Sequence, residues 1–183
     1  MGVAHIEGDA PIMTSRLRTQ SVSRAPPIPA PDRIATLRIV RLPKMRNHAL
    51  RLINEYYEHI NVSQRDTPMT IRKIIQDSNA GVWIAYLNDQ AVGCVVLKGL
   101  PAIPAAAECK RLYVKPEARG YGIANKMLDA LETFARDKGL AWIYLDSFEA
   151  LGAAVALYKR RGYVSCDRYN DNPQATIFLR KKM

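Results

Sequence analysis

The sequence predicts an α/β domain of the mixed α+β kind, a sheet covered by helices. Three observations predict it: β-rich apolar runs, amphipathic stretches of helical period, and turn residues set between them, together reading β, α, α, β, β, β, α, β, α, β, β.

Residues 36–42 read as a strand, and residues 43–60 as a helix whose apolar side includes Leu50, Leu52, Ile53, Tyr56 and Tyr57. Thr67, Pro68 and Thr70 open a second, short helix. Residues 81–87 and 91–97 are β-rich runs separated by Asn88, Asp89 and Gln90, a hairpin signature. A strand follows over about residues 107–114. Residues 119–138 predict a long amphipathic helix with Ile123, Met127, Leu128, Leu131, Phe134 and Ala135 on one face and Gly139 as its stop. An apolar strand over 141–145 precedes a helix over 151–161 halted by Gly162. Lys159, Arg160 and Arg161 suit the negative end of that helix. Strands near Tyr163 and over 175–179 complete the order, with no internal repeat.

A chain of 183 residues suits one domain with an appendage. Residues 1–33 carry Pro26, Pro27, Pro29 and Pro31 and read as a disordered leader, with the domain over 34–183. Residues 13–24 are basic and free of acids, as organelle presequences are, whereas Glu7 and Asp9 upstream break that pattern. A cytoplasmic protein is expected, with organellar targeting through the leader as the alternative. Cys94, Cys109 and Cys166 are odd in number and widely spaced, which fits a reducing compartment rather than a disulfide framework. His5, His48 and His59 stand apart from other ligand types, so no metal is expected. The net charge of +10 is dispersed, without a basic run, recognition helix or stacking aromatics, and gives no support to nucleic-acid binding. No apolar run approaches the roughly 20 residues that span a bilayer, so no membrane partner is expected.

The informative stretch runs from Arg111 through Lys115 and Pro116 to Arg119, Gly120, Tyr121, Gly122, Ile123 and Ala124, where a strand ends, the chain turns and a helix begins. Glycines at a helix start let main-chain N–H groups converge on an anion, and the positive helix end reinforces this. The third glycine and downstream acid of a dinucleotide fingerprint are missing, as is the Gly-Lys-Ser/Thr end of a P-loop.

Arg119, Gly122 and Ala124, preceded by Tyr113-Val114-Lys115-Pro116, resemble the acyl-CoA signature of the GNAT superfamily of N-acetyltransferases. Leu157-Tyr158 and Gly162-Tyr163 resemble that family's late helix and the strand after it. The wording Glu108 to Val114, Leu145-Asp146-Ser147 and Tyr169 to Pro173 further resembles a largely uncharacterised GNAT subgroup. The resemblance implies a central, mostly antiparallel sheet with two splayed parallel strands, flanked by about four helices. It implies acetyl-CoA as co-substrate, its pyrophosphate on residues 119–124 and its acyl arm along Leu112 and Val114. It also implies direct transfer of an acetyl group to a primary amine of a small molecule or peptide, with no acetyl-enzyme. A non-catalytic acyl-CoA-sensing module is the alternative, and assembly as a homodimer stays open.

By the same resemblance Tyr158 protonates the departing thiolate, and the Val114 amide bonds the thioester oxygen. Glu108 is the candidate base, with a salt bridge to Lys110 or Arg111 as the competing reading. Alternation along the strand puts Glu108, Lys110, Leu112 and Val114 on one face. Leu151 stands where many relatives carry an Asn that bonds the pantetheine arm. Tyr56, Tyr57, Glu55 and the Asn170 to Pro173 loop are the expected sources of acceptor selectivity. Cys109 lacks a histidine partner and reads as core.

Overall fold

The computed structural model describes residues 36–183, so the leader expected over 1–33 lies outside the described residues. Seven strands form one sheet in the order β1-β2-β3-β4-β5-β7-β6. They are β1 Leu37–Arg41, β2 Gly81–Leu87, β3 Gln90–Gly99, β4 Ala106–Val114, β5 Trp142–Ser147, β6 Val164–Ser165 and β7 Ile177–Lys182. The helices are α1 Asn47–His59, α2 Pro68–Gln76, α3 Ile123–Asp137 and α4 Gly152–Arg160. The elements follow the order read from the sequence. Every strand pairing is antiparallel except that of β4 with β5.

Local chemistry accounts for the ends. Thr67 caps α2 by accepting a hydrogen bond from the Thr70 N–H at 3.1 Å, with Pro68 opening the first turn. Asn88 and Asp89 take φ of 48° and 65°, the left-handed pair of a two-residue hairpin turn. Two helices start later than their periodicity suggests. Residues 43–46 stay out of α1, because the Leu42 N–H is held by the Val82 carbonyl at 2.8 Å and Arg46 is still extended. Residues 119–122 stay out of α3, because Gly120 and Gly122 sit at φ 87° and 70°, which a right-handed helix excludes.

The sheet is covered on both faces. Leu52, Ile53 and Tyr57 of α1 and Ile71 of α2 pack on Val82, Ile84, Cys94, Val96 and Tyr113. On the other face Met127, Leu128 and Leu131 of α3 pack on Val95, Leu97, Cys109, Ile143 and Leu145. No helix among the described residues is long and apolar enough to cross a membrane.

Two irregularities in β4 position the site. The first is a splay: β4 and β5 pair only over Ala106–Glu108 against Trp142–Tyr144, after which the strands separate. The second is a bulge. Val96 faces Lys110 and Cys94 faces Tyr113, so Arg111 and Leu112 together oppose Val95, with Arg111 at φ 57°. The extra residue reverses the alternation. Glu108 and Lys110 stay on the α1/α2 side, where their pair and Arg111 face one cavity, while Leu112 and Val114 turn to pack with the α3 core. The single face expected for Glu108, Lys110, Leu112 and Val114 is therefore wrong beyond Lys110, because a bulge breaks the period of two.

Candidate active site

The splay opens between two cavities that meet at Tyr56, Ile60 and Leu151. One, of about 580 Å³, is walled by Leu112, Val114, Arg119, Gly120, Gly122, Ile123 and Ala124, with Ala154 and Leu157 of α4 opposite. Tyr121 alone of residues 119–124 is off this wall and is 55% exposed. The first hydrogen bond of α3 runs from the Lys126 N–H to the Gly122 carbonyl at 3.2 Å, which leaves the Ile123, Ala124 and Asn125 amides without partners inside the helix. A Cβ at Gly120 or Gly122 would meet nothing within 4 Å, so this backbone is open to a guest. The donors, the helix dipole and the cations Arg119 and Arg160 make the end of the cavity suited to phosphate oxygens.

Backbone direction decides what the open edge of β4 offers. The Lys115 N–H donates to the Val92 carbonyl at 2.8 Å, and Val114 opposes Gly93. In an antiparallel ladder the next residue points the other way, so the Val114 N–H and carbonyl face the gap toward β5. Its carbonyl accepts from Arg119 Nε at 3.1 Å, while the other end of that guanidinium lies 3.0 Å from His59 Nε2 at the end of α1.

Tyr158 lies in α4 inside the core, 7% exposed and edge-on to Tyr163 with ring centroids 5.7 Å apart. It lines neither cavity, and its hydroxyl has no hydrogen-bond partner among the described residues. Burial raises its pKa well above 10, which keeps the phenol protonated.

The second cavity, of about 460 Å³, holds Glu108 on its wall. Glu108 is 5% exposed, and its Oε1 accepts three hydrogen bonds, from Lys110 Nζ at 2.8 Å, Tyr169 Oη at 2.9 Å and Asn170 Nδ2 at 2.9 Å. Beside it, Asp146 Oδ2 accepts from Asn170 Nδ2 at 2.9 Å and Asn172 Nδ2 at 3.0 Å. Tyr169 is wedged between Tyr144 and Phe178, with its pKa raised by burial and by the Glu108 charge. Asn170 and Asn172 also accept from the backbone N–H groups two residues on, fixing the loop as successive Asx turns. Gln174 then ties that loop to Asn61 and Ser63 after α1.

Both readings of Glu108 hold at once: it is paired to Lys110 and it faces a cavity. Tyr56 walls both cavities, its phenol pushed up to about 12 by burial. Tyr57 is fully buried and donates to Asp66 Oδ2 at 2.8 Å, and Glu55 pairs with Lys115 at 3.2 Å, so neither reaches a cavity wall. Asp171 and Ser147 are on the second wall, and Leu151 sits at the junction. Cys109 is buried, and its thiol is pushed up by that burial, away from nucleophilic use. The convergence of Tyr169 and Asn170 on Glu108, and of Asn170 and Asn172 on Asp146, was not visible in the sequence. The nearest signal was the acidic residue ending the otherwise apolar run of β5.

Residues 47–163 match the Acetyltransferase (GNAT) family, well over half of the chain. The chain belongs to that family. As a GNAT acetyltransferase it is similar to an uncharacterised N-acetyltransferase of Schizosaccharomyces pombe, 32% identical over 51% of this chain and 57% of that one. It is 34% identical to an IAA acetyltransferase of Azospirillum brasilense over 55% of this chain and 69% of that one. Rat N-acetyltransferase 8B is 28% identical over 54% of this chain and 46% of its own. The chain thus spans about half the length of the first of these relatives. A GNAT acetyltransferase of Staphylococcus aureus superposes with a TM-score of 0.68 at 18% identity, over 80% of this chain and 99% of that one. A Klebsiella pneumoniae protein provisionally described as an acyl-CoA N-acyltransferase does so at 0.61 and 25% identity, over 81% and 97%.

Proposed function

We propose that this GNAT acetyltransferase moves an acetyl group from acetyl-CoA directly to a primary amine of a small molecule or protein. The observation that carries the reading is the splay of β4 from β5, which joins a cavity edged by free amides to a cavity edged by a carboxylate. Residues 119–124 hold the pyrophosphate on backbone N–H groups, and Leu112 and Val114 run beside the acyl arm. The Val114 N–H bonds the thioester oxygen and stabilises the negative charge that grows there. Glu108 takes a proton from the amine through water, so that the nitrogen lone pair can form the new C–N bond as the C–S bond breaks. Tyr158 gives its proton to the thiolate, and the products are an amide and CoA thiol. Contact with the sulfur is the step for which a core phenol must reach the cavity.

The test is CoA release with acetyl-CoA and an amine panel, after calorimetry has established that acetyl-CoA binds one to one. Glu108→Gln and Tyr158→Phe are each expected to lower kcat by about a hundred-fold, the lower end for a positioned acid or base, with acetyl-CoA affinity unchanged. Unchanged rates in both would remove these roles. Absence of acetyl-CoA binding by folded protein would remove the reading itself.

A further inference from the structure

The carboxylates of the second cavity are arranged asymmetrically. Every hydrogen bond to Glu108 falls on Oε1, and both to Asp146 fall on Oδ2. Glu108 Oε2 accepts none among the described residues, and Asp146 Oδ1 has only Lys110 Nζ at 3.8 Å, beyond hydrogen-bond reach. Each carboxylate is therefore held rigid by one oxygen while the other is left to accept, on residues that both wall the cavity. The two are partly buried, with side chains 6% and 11% exposed, and between them they share the single ammonium of Lys110. Within ion-pair distance the group is one positive charge short; the next cation, Lys98, stands opposite Glu108 in the β3–β4 register and walls the same cavity without an ion pair among the described residues.

The rest of the wall has no surplus of carboxylates. Arg111 takes Asp66 at 2.9 Å, and Arg65 is bonded to Glu58 outside the cavity at 2.6 Å. Lys98 and Asp171 remain, one charge of each sign. A guest with several ammonium groups would find partners for one of them and meet Lys98, Arg65 and Arg111 with the others. A neutral aromatic amine would leave the charge deficit of the carboxylates as it stands.

From this we propose that Glu108 and Asp146 form the acceptor subsite, built to receive one primary alkylammonium in a molecule with no second cation. Asp146 Oδ1 accepts its N–H groups directly and Glu108 Oε2 accepts through the water that carries the proton. Tyr169, Asn170 and Asn172 hold the two carboxylates in place, and Asp146 is a specificity-determining residue. This rests on the transferase reading above and narrows its acceptor.

Phenethylamine, aniline and spermidine test it, with acetyl-CoA as donor and CoA release as readout. Phenethylamine is expected to exceed both others in kcat/KM by at least about ten-fold, the worth of one charge-assisted hydrogen bond. Asp146→Asn keeps an oxygen for the Asn170 and Asn172 donors. It is expected to raise the phenethylamine KM by about ten-fold, to change kcat less, and to leave the acetyl-CoA dissociation constant unchanged. Aniline or spermidine equal to phenethylamine, or an unmoved KM in Asp146→Asn, overturns the subsite while leaving the transferase in place. Transfer to none of the three by protein that binds acetyl-CoA overturns the subsite, and extending that failure to the full amine panel removes the transferase reading too.

Discussion

Gly122 and Gly139 stand at the two ends of α3 with matched backbone, φ 70° and 69°, and a Cβ at either meets nothing within 4 Å. Replacing each by alanine therefore carries the same penalty, about 1 to 2 kcal/mol for an L residue held left-handed. Only Gly122 borders the cavity beside the free amides. Gly122→Ala and Gly139→Ala are expected to lose similar stability in denaturant, while only Gly122→Ala weakens acetyl-CoA binding by calorimetry. Equal acetyl-CoA affinities would separate the loop from the phosphates. At this scale the sequence disclosed whatever is local: the glycines, the Thr67 cap, and Glu108 as a carboxylate on a strand. It could not disclose that Tyr169 and Asn170 reach Glu108, because those bonds cross 61 and 62 positions of chain and depend on β5 and β7 lying between.

Helix α3 is anchored by a buried acid. Glu132, 3% exposed, accepts Arg161 Nε at 3.1 Å, Arg161 Nη2 at 2.9 Å and Lys181 Nζ at 2.7 Å, joining α3 to the end of α4 and to β7. Arg161 continues to Asp129 at 2.8 Å and to the carbonyl of Asn125 at 3.4 Å, a residue whose own amide is one of the three free ones. Glu132→Gln leaves two cations facing a neutral amide, and the expected loss is about 3 kcal/mol in chemical denaturation, as for breaking a buried ion pair. A change below about 0.5 kcal/mol would mark the cluster as solvent-screened. Elements were legible because apolar period survives packing. Their irregularities were not: the bulge turns on a left-handed arginine, Arg111, a residue type that carries no mark of that conformation.

Across the whole molecule, β1 to β4 form one half of the sheet and β5 to β7 the other, joined by three residue pairs before the splay. A ligand seated along β4 and against α3 and α4 would brace both halves, and acetyl-CoA at a hundred times its dissociation constant is expected to add about 2.7 kcal/mol to folding by mass action. Thermal denaturation is expected to shift upward by about 5 to 10 °C on that basis, and no shift would mean that the nucleotide binds folded and unfolded chain alike. The bulge in β4 has a different kind of consequence. Because it turns the strand over between Lys110 and Leu112, the β4 residues before it wall the cavity proposed for the acceptor and those after it wall the cavity proposed for the acyl carrier. Mutation at one end of this strand can then change one cavity while selection keeps the other end fixed, whereas Tyr56, Ile60 and Leu151, which wall both cavities, are answerable to both.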